Sequence, residues 1–248
     1  MDLFEYLKEK KEIALAFSGG VDSAYLLYAC LKSCKRVTAY YVKTAFQPEF
    51  EFEDAKRLAK ELNADMKVIT LDVLKDEKVT ENPPDRCYYC KNNIFNAILF
   101  NAHEDGYTYV ADGTNASDDA SDRPGMRALK ELKVISPLRE CGLDKTTIRR
   151  LSKEAGLFTH DKPAYACLAT RIKTGETITE EKLKATEYAE SFLFGLGFKD
   201  FRVRLDAGRA IIQVHKEQLP LVIDKRDEIN EALKDYYKSI TLDLEVRK

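Results

Sequence analysis

The chain has 248 residues, 44% hydrophobic and 33% charged, enough to bury a core in one large domain or one domain with a small appendage. Its 40 basic and 42 acidic residues leave a net charge of −2, which argues against the broad basic footprint of a nucleic-acid binder. No apolar run approaches the roughly 20 residues of a membrane-spanning helix, and the charged start Met1–Lys10 lacks the apolar stretch of a signal peptide. A cytoplasmic protein with no membrane partner is expected, and in that reducing compartment six cysteines suggest metal binding or reactivity rather than disulfides.

The first predicted strand, Ile13–Phe17, leads through Ser18, Gly19, Gly20, Val21, Asp22 and Ser23 into a helical stretch at Ala24–Leu31. Glycines in such a turn let main-chain N–H groups approach a ligand closely. The helix start adds unpaired donors and the positive end of its dipole. Together these make a pocket for an anion, most often a phosphate. The loop is not a Walker A sequence, because the GxxxxGK[ST] spacing and its lysine are both missing. It resembles the SGGxDS pyrophosphate loop of the PP-loop ATP pyrophosphatases, which cleave ATP between its α and β phosphates and transfer AMP to an oxygen.

Further strands are predicted at Val37–Val42, Met66–Leu71, Tyr107–Ala111 and Val134–Ile135, with helices at Phe50–Leu62, Asn92–Asn101 and Lys145–Ala155. Asp144 is the expected N-cap of the last of these. The alternation implies an α/β fold, a parallel sheet with helices on both faces, and a ligand site at the carboxyl ends of the strands. Composition shifts near Arg171–Glu176, and a small α+β domain is expected beyond it. It would hold a helix capped by Thr177 or Thr179 and running to Leu196, a hairpin at Phe201–Leu205 and Ala210–Val214 turning at Gly208, a helix at Leu221–Tyr237 and a strand at Ser239–Val246. The expected domains are residues 1–172 and 173–248.

Cys87 and Cys90 form a CxxC pair after Asn82–Arg86, a segment that Pro83 and Pro84 keep out of a helix. Two thiolates at this spacing fit zinc, redox chemistry or one edge of an iron–sulfur cluster, and no second CxxC completes a zinc site. Cys167 stands among Ala and Leu, which fits a small buried hydrophobe, whereas Lys162 and Arg171 on its flanks would favour a thiolate. Cys30, Cys34 and Cys141 are read as structural or incidental, and His103 and His215, which have no partner spacing, as surface or structural residues. Asp112–Asn115 follows a predicted strand and so belongs beside the nucleotide. The polar segment Asp118–Arg127 carries acids for Mg²⁺, Asp118 and Asp119, and arginines for phosphate, Arg123 and Arg127.

Taken together, Ser18–Ser23, Asn82–Lys91, Asp112–Asn115, Arg123–Arg127 with Ser136–Leu138, and Asp161–Arg171 resemble the ATP-dependent sacrificial sulfur transferases of the LarE type. The resemblance spans nearly the whole chain. It implies a PP-loop domain of the adenine nucleotide alpha hydrolase kind, a small C-terminal domain for substrate binding and oligomerisation, and a homo-oligomer. Members adenylate a carboxylate of pyridinium-3,5-biscarboxylic acid mononucleotide and convert it to a thiocarboxylate for the nickel-pincer nucleotide cofactor. One type surrenders the sulfur of a single cysteine, matching Cys167. The other holds a [4Fe–4S] cluster on cysteines matching Cys87, Cys90 and Cys167, and all three are present in this chain. The family pattern also makes Arg202 and Arg204 grippers of the substrate phosphate. Two positions depart from it: a glutamate is replaced by Gln213, and a histidine-glycine turn by Asp206–Gly208.

The expected ATP site is therefore Ser18, Gly19, Gly20, Val21, Asp22, Ser23, Val42, Asp112, Gly113, Arg123 and Arg127, with Ser18, Asp22 and Cys167 as the catalytic residues. ATP, Mg²⁺ and the cluster are the expected cofactors, and the donor that reloads sulfur is not named by the sequence. Arg86 and Lys91 are further candidates for neutralising phosphate. The rival readings are a PP-loop tRNA thiolase, an ammonia-dependent amide-forming synthetase and a zinc-stabilised nucleotide-binding protein.

Overall fold

The computed structural model describes residues 2–118 and 124–247. It divides into two compact units, residues 1–73 with 85–164, and residues 74–84 with 165–248. This division falls at 164/165, where the sequence suggested 172/173, and the second unit also claims an eleven-residue excursion from the first.

In the first unit, α1 (Leu3–Lys10) precedes β1 (Glu12–Ala16), α2 (Val21–Ser33), β2 (Arg36–Lys43), α3 (Glu49–Glu61) and β3 (Asp65–Thr70). After α4 (Glu77–Thr80), which belongs to the second unit, come α5 (Arg86–Glu104), β4 (Val110–Ala111), α6 (Pro124–Glu131), α7 (Pro137–Glu140) and α8 (Lys145–Glu154). The four strands are parallel, in the order β3-β2-β1-β4. Alternation along the central strands sorts the core into two layers. Ile13, Leu15, Ala39 and Tyr41 join α1, α2 and α3 on one face, while Ala14, Tyr40 and Val42 join Phe95 and Ile98 of α5 on the other. Helices therefore cover both faces, as the alternating sequence implies.

Three predicted elements change shape. The strand expected at Tyr107–Ala111 shortens to two residues, because the Tyr107 N–H bonds Ala102 O at 2.9 Å and closes the end of α5. Val134–Ile135 contributes an isolated bridge to Ala111 instead of a full strand. The helix expected from Asn92 starts at Arg86, directly after the two prolines, so Cys87 and Cys90 lie in its first turns. Asp144 caps α8 as expected, its carboxylate accepting from the Thr147 N–H at 2.7 Å.

The second unit has α9 (Glu180–Gly195), β5 (Arg202–Asp206), β6 (Arg209–Gln213), α10 (Leu219–Asp224), α11 (Arg226–Leu233) and β7 (Ser239–Leu242). Thr179 caps α9 through the Lys182 N–H. The hairpin turns on Ala207 (φ 51°) and Gly208 (φ 80°), the pair of positive φ angles that a two-residue turn matching strand twist requires. The single helix expected at Leu221–Tyr237 is two, broken at Lys225, and β7 ends four residues before the expected Val246. β6 pairs antiparallel with β5 and parallel with β7. No helix among the described residues is long and apolar enough to cross a membrane.

Candidate functional site

β1 runs into a turn at Ser18–Gly20 because Gly19 adopts φ 75°, a left-handed conformation costly for other residues. A Cβ at Gly19 would also lie 3.0 Å from Ala55 Cβ of α3. Gly20 then caps α2 with its main chain alone, so no side chain occupies the helix's first donors. Hydroxyls brace the turn: Ser23 Oγ donates to Gly20 O at 3.1 Å and stands 3.1 Å from Ser18 Oγ, while the Ser18 N–H points to Ser23 Oγ at 3.3 Å.

A cavity of about 340 Å³ opens above the loop, at the carboxyl ends of the strands. Ser18, Gly20, Asp22 and Ser23 form its floor, Val42 and Tyr40 one wall, and Asp112 and Gly113 another. Gly19 and Val21 shape the turn from behind, with Val21 packed in the core. Gly113 sits so close to α2 that a Cβ on it would lie 2.9 Å from Ser23 N. Gly113→Ala should therefore push the loop off its ligand geometry. Overpacking of this kind costs about 1–3 kcal/mol, so ATP affinity measured by calorimetry should fall roughly tenfold.

Charge is distributed unevenly around the cavity. Asp112 is spent on structure, accepting from Ser136 Oγ at 2.7 Å and from Thr114 Oγ1. Asp118 lines the cavity, yet its carboxylate accepts from the Asn115 N–H at 2.9 Å and its carbonyl from Arg139. Asp22 differs: Oδ2 pairs with Lys145 Nζ at 2.5 Å, while Oδ1 is buried without a hydrogen-bond partner. A buried orphan acceptor beside a phosphate-type loop fits a Mg²⁺ ion brought in with ATP. Lys91 of α5 also reaches the cavity.

Arg127 does not line the cavity; it lies on α6 over the Tyr88 ring (4.1 Å) and 3.9 Å from Glu131. Arg123 and Asp119 fall outside the described residues. Arg86 is buried, with a guanidinium nitrogen 3.7 Å from Cys87 Sγ. Along α5, positions 87, 90, 91, 94, 95 and 98 recur at helical spacing, and the last four line the cavity. By this spacing the CxxC pair continues the stripe of α5 that lines the cavity. Cys30 is fully buried and Cys34 Sγ contacts Leu7 O at 3.4 Å, both structural positions.

In the second unit Cys167 precedes a single 3₁₀ turn, Leu168–Arg171, and its carbonyl accepts from the Thr170 N–H and hydroxyl. Arg171 is almost completely buried and forms a two-pronged pair with Glu190 of α9, at 2.8 and 3.0 Å. Its guanidinium also donates to Ala166 O at 3.0 Å. Burial alone would lower the Arg171 pKa, but the Glu190 carboxylate more than reverses this and holds the net shift upward. Glu190 accepts in addition from Tyr165 OH (2.5 Å) and from the Val203 N–H of β5 (2.9 Å). One carboxylate thus fixes both the Cys167 segment and the strand carrying Arg202 and Arg204. Those two arginines share a strand face, with Val203 and Leu205 buried on the other. Arg202 lies over the Tyr165 ring (5.4 Å), and Arg204 donates to Gln213 Oε1 at 2.5 Å. Gln213 in turn donates to Asp243 at 2.6 Å, a double role that an amide fills and a carboxylate cannot. Asp206 accepts from Lys173 at 3.2 Å at the hairpin turn.

Among the described residues no three His, Cys, Asp or Glu side chains gather into a metal site. Cys87 and Cys90 belong to the first unit and Cys167 to the second. Sequence reasoning missed Lys145 and Glu190. Glu190 had a signal, being an acid on the buried face of α9 that includes Leu183, Ala189 and Leu193.

The family described as "Queuosine biosynthesis protein QueC" matches residues 12–82, the stretch holding β1, the loop, β2 and β3. An uncharacterized protein of Methanocaldococcus jannaschii is 34% identical over 97% of this chain and 93% of its own length. The pyridinium-3,5-bisthiocarboxylic acid mononucleotide synthase of Lactiplantibacillus plantarum is 33% identical over 96% of this chain and 87% of its own length. A tRNA-specific 2-thiouridylase of Pseudothermotoga lettingae is 28% identical over 61% of this chain and 54% of its own length. With nearly full-length similarity to the synthase and a PP-loop at the head of its sheet, the chain belongs to the LarE-type family of ATP-dependent sulfur transferases.

Proposed function

We propose that this enzyme adenylates a carboxylate of pyridinium-3,5-biscarboxylic acid mononucleotide, releasing pyrophosphate, and then replaces the AMP with sulfur to give a thiocarboxylate for nickel-pincer cofactor synthesis. The observation that supports the first half is the Ser18–Ser23 loop, of which Ser18, Gly20, Asp22 and Ser23 line a cavity of about 340 Å³, with the orphaned Asp22 Oδ1 beside it. The β and γ phosphates rest on the loop amides, with the α-phosphorus toward the carboxylate. Attack at that phosphorus forms the acyl–O–P bond and breaks the bond to pyrophosphate, whose charge the amides and Lys91 stabilise. Asp22 would hold Mg²⁺, which when bound shares in neutralising the phosphates. Sulfur carried at Cys167 then adds to the acyl carbon and AMP leaves with the bonding electrons; where the sulfur is that of Cys167 itself, loss of its Cα proton and cleavage of the Cβ–S bond free the thiocarboxylate and leave dehydroalanine.

Arg202 and Arg204 fit recognition of the substrate's phosphate, as two guanidinium forks on one strand face. For the sulfur we propose Cys167 as the delivering position. The resemblance further implies a [4Fe–4S] cluster on Cys87, Cys90 and Cys167, a cytoplasmic enzyme and a homo-oligomer.

Anaerobic incubation with ATP and the biscarboxylic mononucleotide tests the reading. Cys167→Ser should retain AMP formation and lose thiocarboxylate by at least about a hundredfold, the scale expected when a nucleophile's chemistry is removed. Iron and labile sulfide in the wild type, with unchanged polypeptide mass after turnover, support the cluster. Loss of the mass of hydrogen sulfide from the polypeptide assigns the sulfur to Cys167 itself. A Cys167→Ser enzyme that still makes thiocarboxylate removes the sulfur role.

A further inference from the structure

The Ser18–Ser23 loop lacks the lysine that other phosphate loops carry within their own sequence, yet a lysine arrives there from 123 residues further along the chain. Lys145 Nζ lies 2.5 Å from Asp22 Oδ2, leaving only Oδ1 of that carboxylate without a partner. We propose that Lys145 is a positioning residue of the nucleotide site: it holds the Asp22 carboxylate in one orientation, with Oδ1 turned to the metal–phosphate group, and offsets a negative charge that would otherwise face the triphosphate. The proposal rests on the nucleotide-site reading above and adds to it a residue that no part of the loop sequence announces.

The lysine's placement is built from both sides. Its own N–H donates to Ser117 Oγ at 2.9 Å, and the Ala116 N–H donates to Leu143 O at 2.8 Å. Ser117 is turned by its N–H bond to Asn115 Oδ1 at 2.8 Å. These contacts tie the start of α8 to the loop that follows β4, the same loop that lines the cavity through Asp112 and Gly113. Asp144 caps α8 at the adjacent residue, which fixes the direction in which the Lys145 side chain leaves the helix. The physical need is clear. A carboxylate next to a polyphosphate is repelled unless cations intervene, and Asp22 stands at the start of a helix whose donors are meant for phosphate. A lysine on one oxygen and a metal on the other let the same carboxylate serve both ends. It acts through Asp22, because the ammonium pairs with that carboxylate and does not line the cavity.

The test compares wild type, Lys145→Met, Lys145→Arg, Asp22→Asn and the double variant Asp22→Asn/Lys145→Met. Binding of α,β-methylene ATP is measured by calorimetry across a Mg²⁺ series, alongside AMP formation. Lys145→Met should weaken analogue binding roughly tenfold at low Mg²⁺, with much of the loss recovered at high Mg²⁺, because added metal takes over the neutralisation. Lys145→Arg should keep most of the affinity. In the double variant the lysine change should add little to the asparagine change, since the two groups act as one unit. Unaltered analogue affinity and Mg²⁺ dependence in Lys145→Met, with only a lower melting temperature, would overturn the proposal and leave a structural ion pair. Full AMP formation by Asp22→Asn would instead overturn the nucleotide-site reading on which it stands.

Discussion

Asp22→Asn should lower AMP formation by at least about a hundredfold while leaving the fold intact, the scale seen when one charge-stabilising group is lost from a preorganised site. The amide keeps the size of the carboxylate, so packing at the start of α2 is preserved. What changes is charge: Oδ1 no longer offers an anionic ligand, and the bond to Lys145 loses its ionic character. Because the loss falls on a group that acts when pyrophosphate leaves, kcat should drop more than ATP affinity. Pyrophosphate release, circular dichroism and thermal melting check the three parts together. A variant with normal pyrophosphate release removes Asp22 from the chemistry.

The largest effect on stability should come from Glu190→Gln. It leaves the Arg171 guanidinium buried opposite a neutral amide, and uncompensated burial of one partner of such a pair costs about 3–5 kcal/mol. For a chain of this size the melting temperature should fall on the order of 10 °C. The same change should disturb function out of proportion to folding, because Glu190 holds Tyr165 on one side of Cys167, Arg171 on the other, and the Val203 N–H between Arg202 and Arg204, the arginines proposed for the substrate phosphate. Thiocarboxylate formation should therefore fall in protein that is still folded, while AMP formation from the first unit's loop changes less. Replacing both partners, Arg171→Met with Glu190→Leu, should recover much of the stability and little of the sulfur transfer, since apolar residues fill the space but hold no loop. Equal losses of stability and sulfur transfer in both variants would show that Glu190 only packs.

The parts of this site that were legible in the sequence are those encoded by neighbouring residues. Gly19, Gly20 and Asp22 announce the loop because the turn, the helix start and the preceding apolar strand are contiguous. The unbroken apolar runs at Ile13–Leu15 and Ala39–Val42 announce strands buried on both faces, which the two core layers bear out. The paired prolines at 83 and 84 also spoke plainly, but they marked where a helix begins, and the helix beginning at Arg86 was read as starting at Asn92. Polar residues at its N-terminal end hid the stripe that runs from Cys87 to Ile98. Lys145 was illegible in principle, since nothing local to it or to Asp22 specifies a contact formed only by folding. Glu190 was legible in part: an acid on an apolar helix face demands a partner, but not which one. The break at Lys225 has no strong local signal, which is why two helices were read as one.

The central claim is that the loop after β1 presents ATP so that a carboxylate oxygen attacks its α-phosphorus. The most direct measurement is transfer of oxygen-18 from a labelled substrate carboxylate during turnover, read by mass spectrometry of the nucleotide product. AMP and pyrophosphate should form, with one labelled oxygen recovered in the phosphate of AMP. Formation of ADP and phosphate, or of AMP with no label, would contradict it.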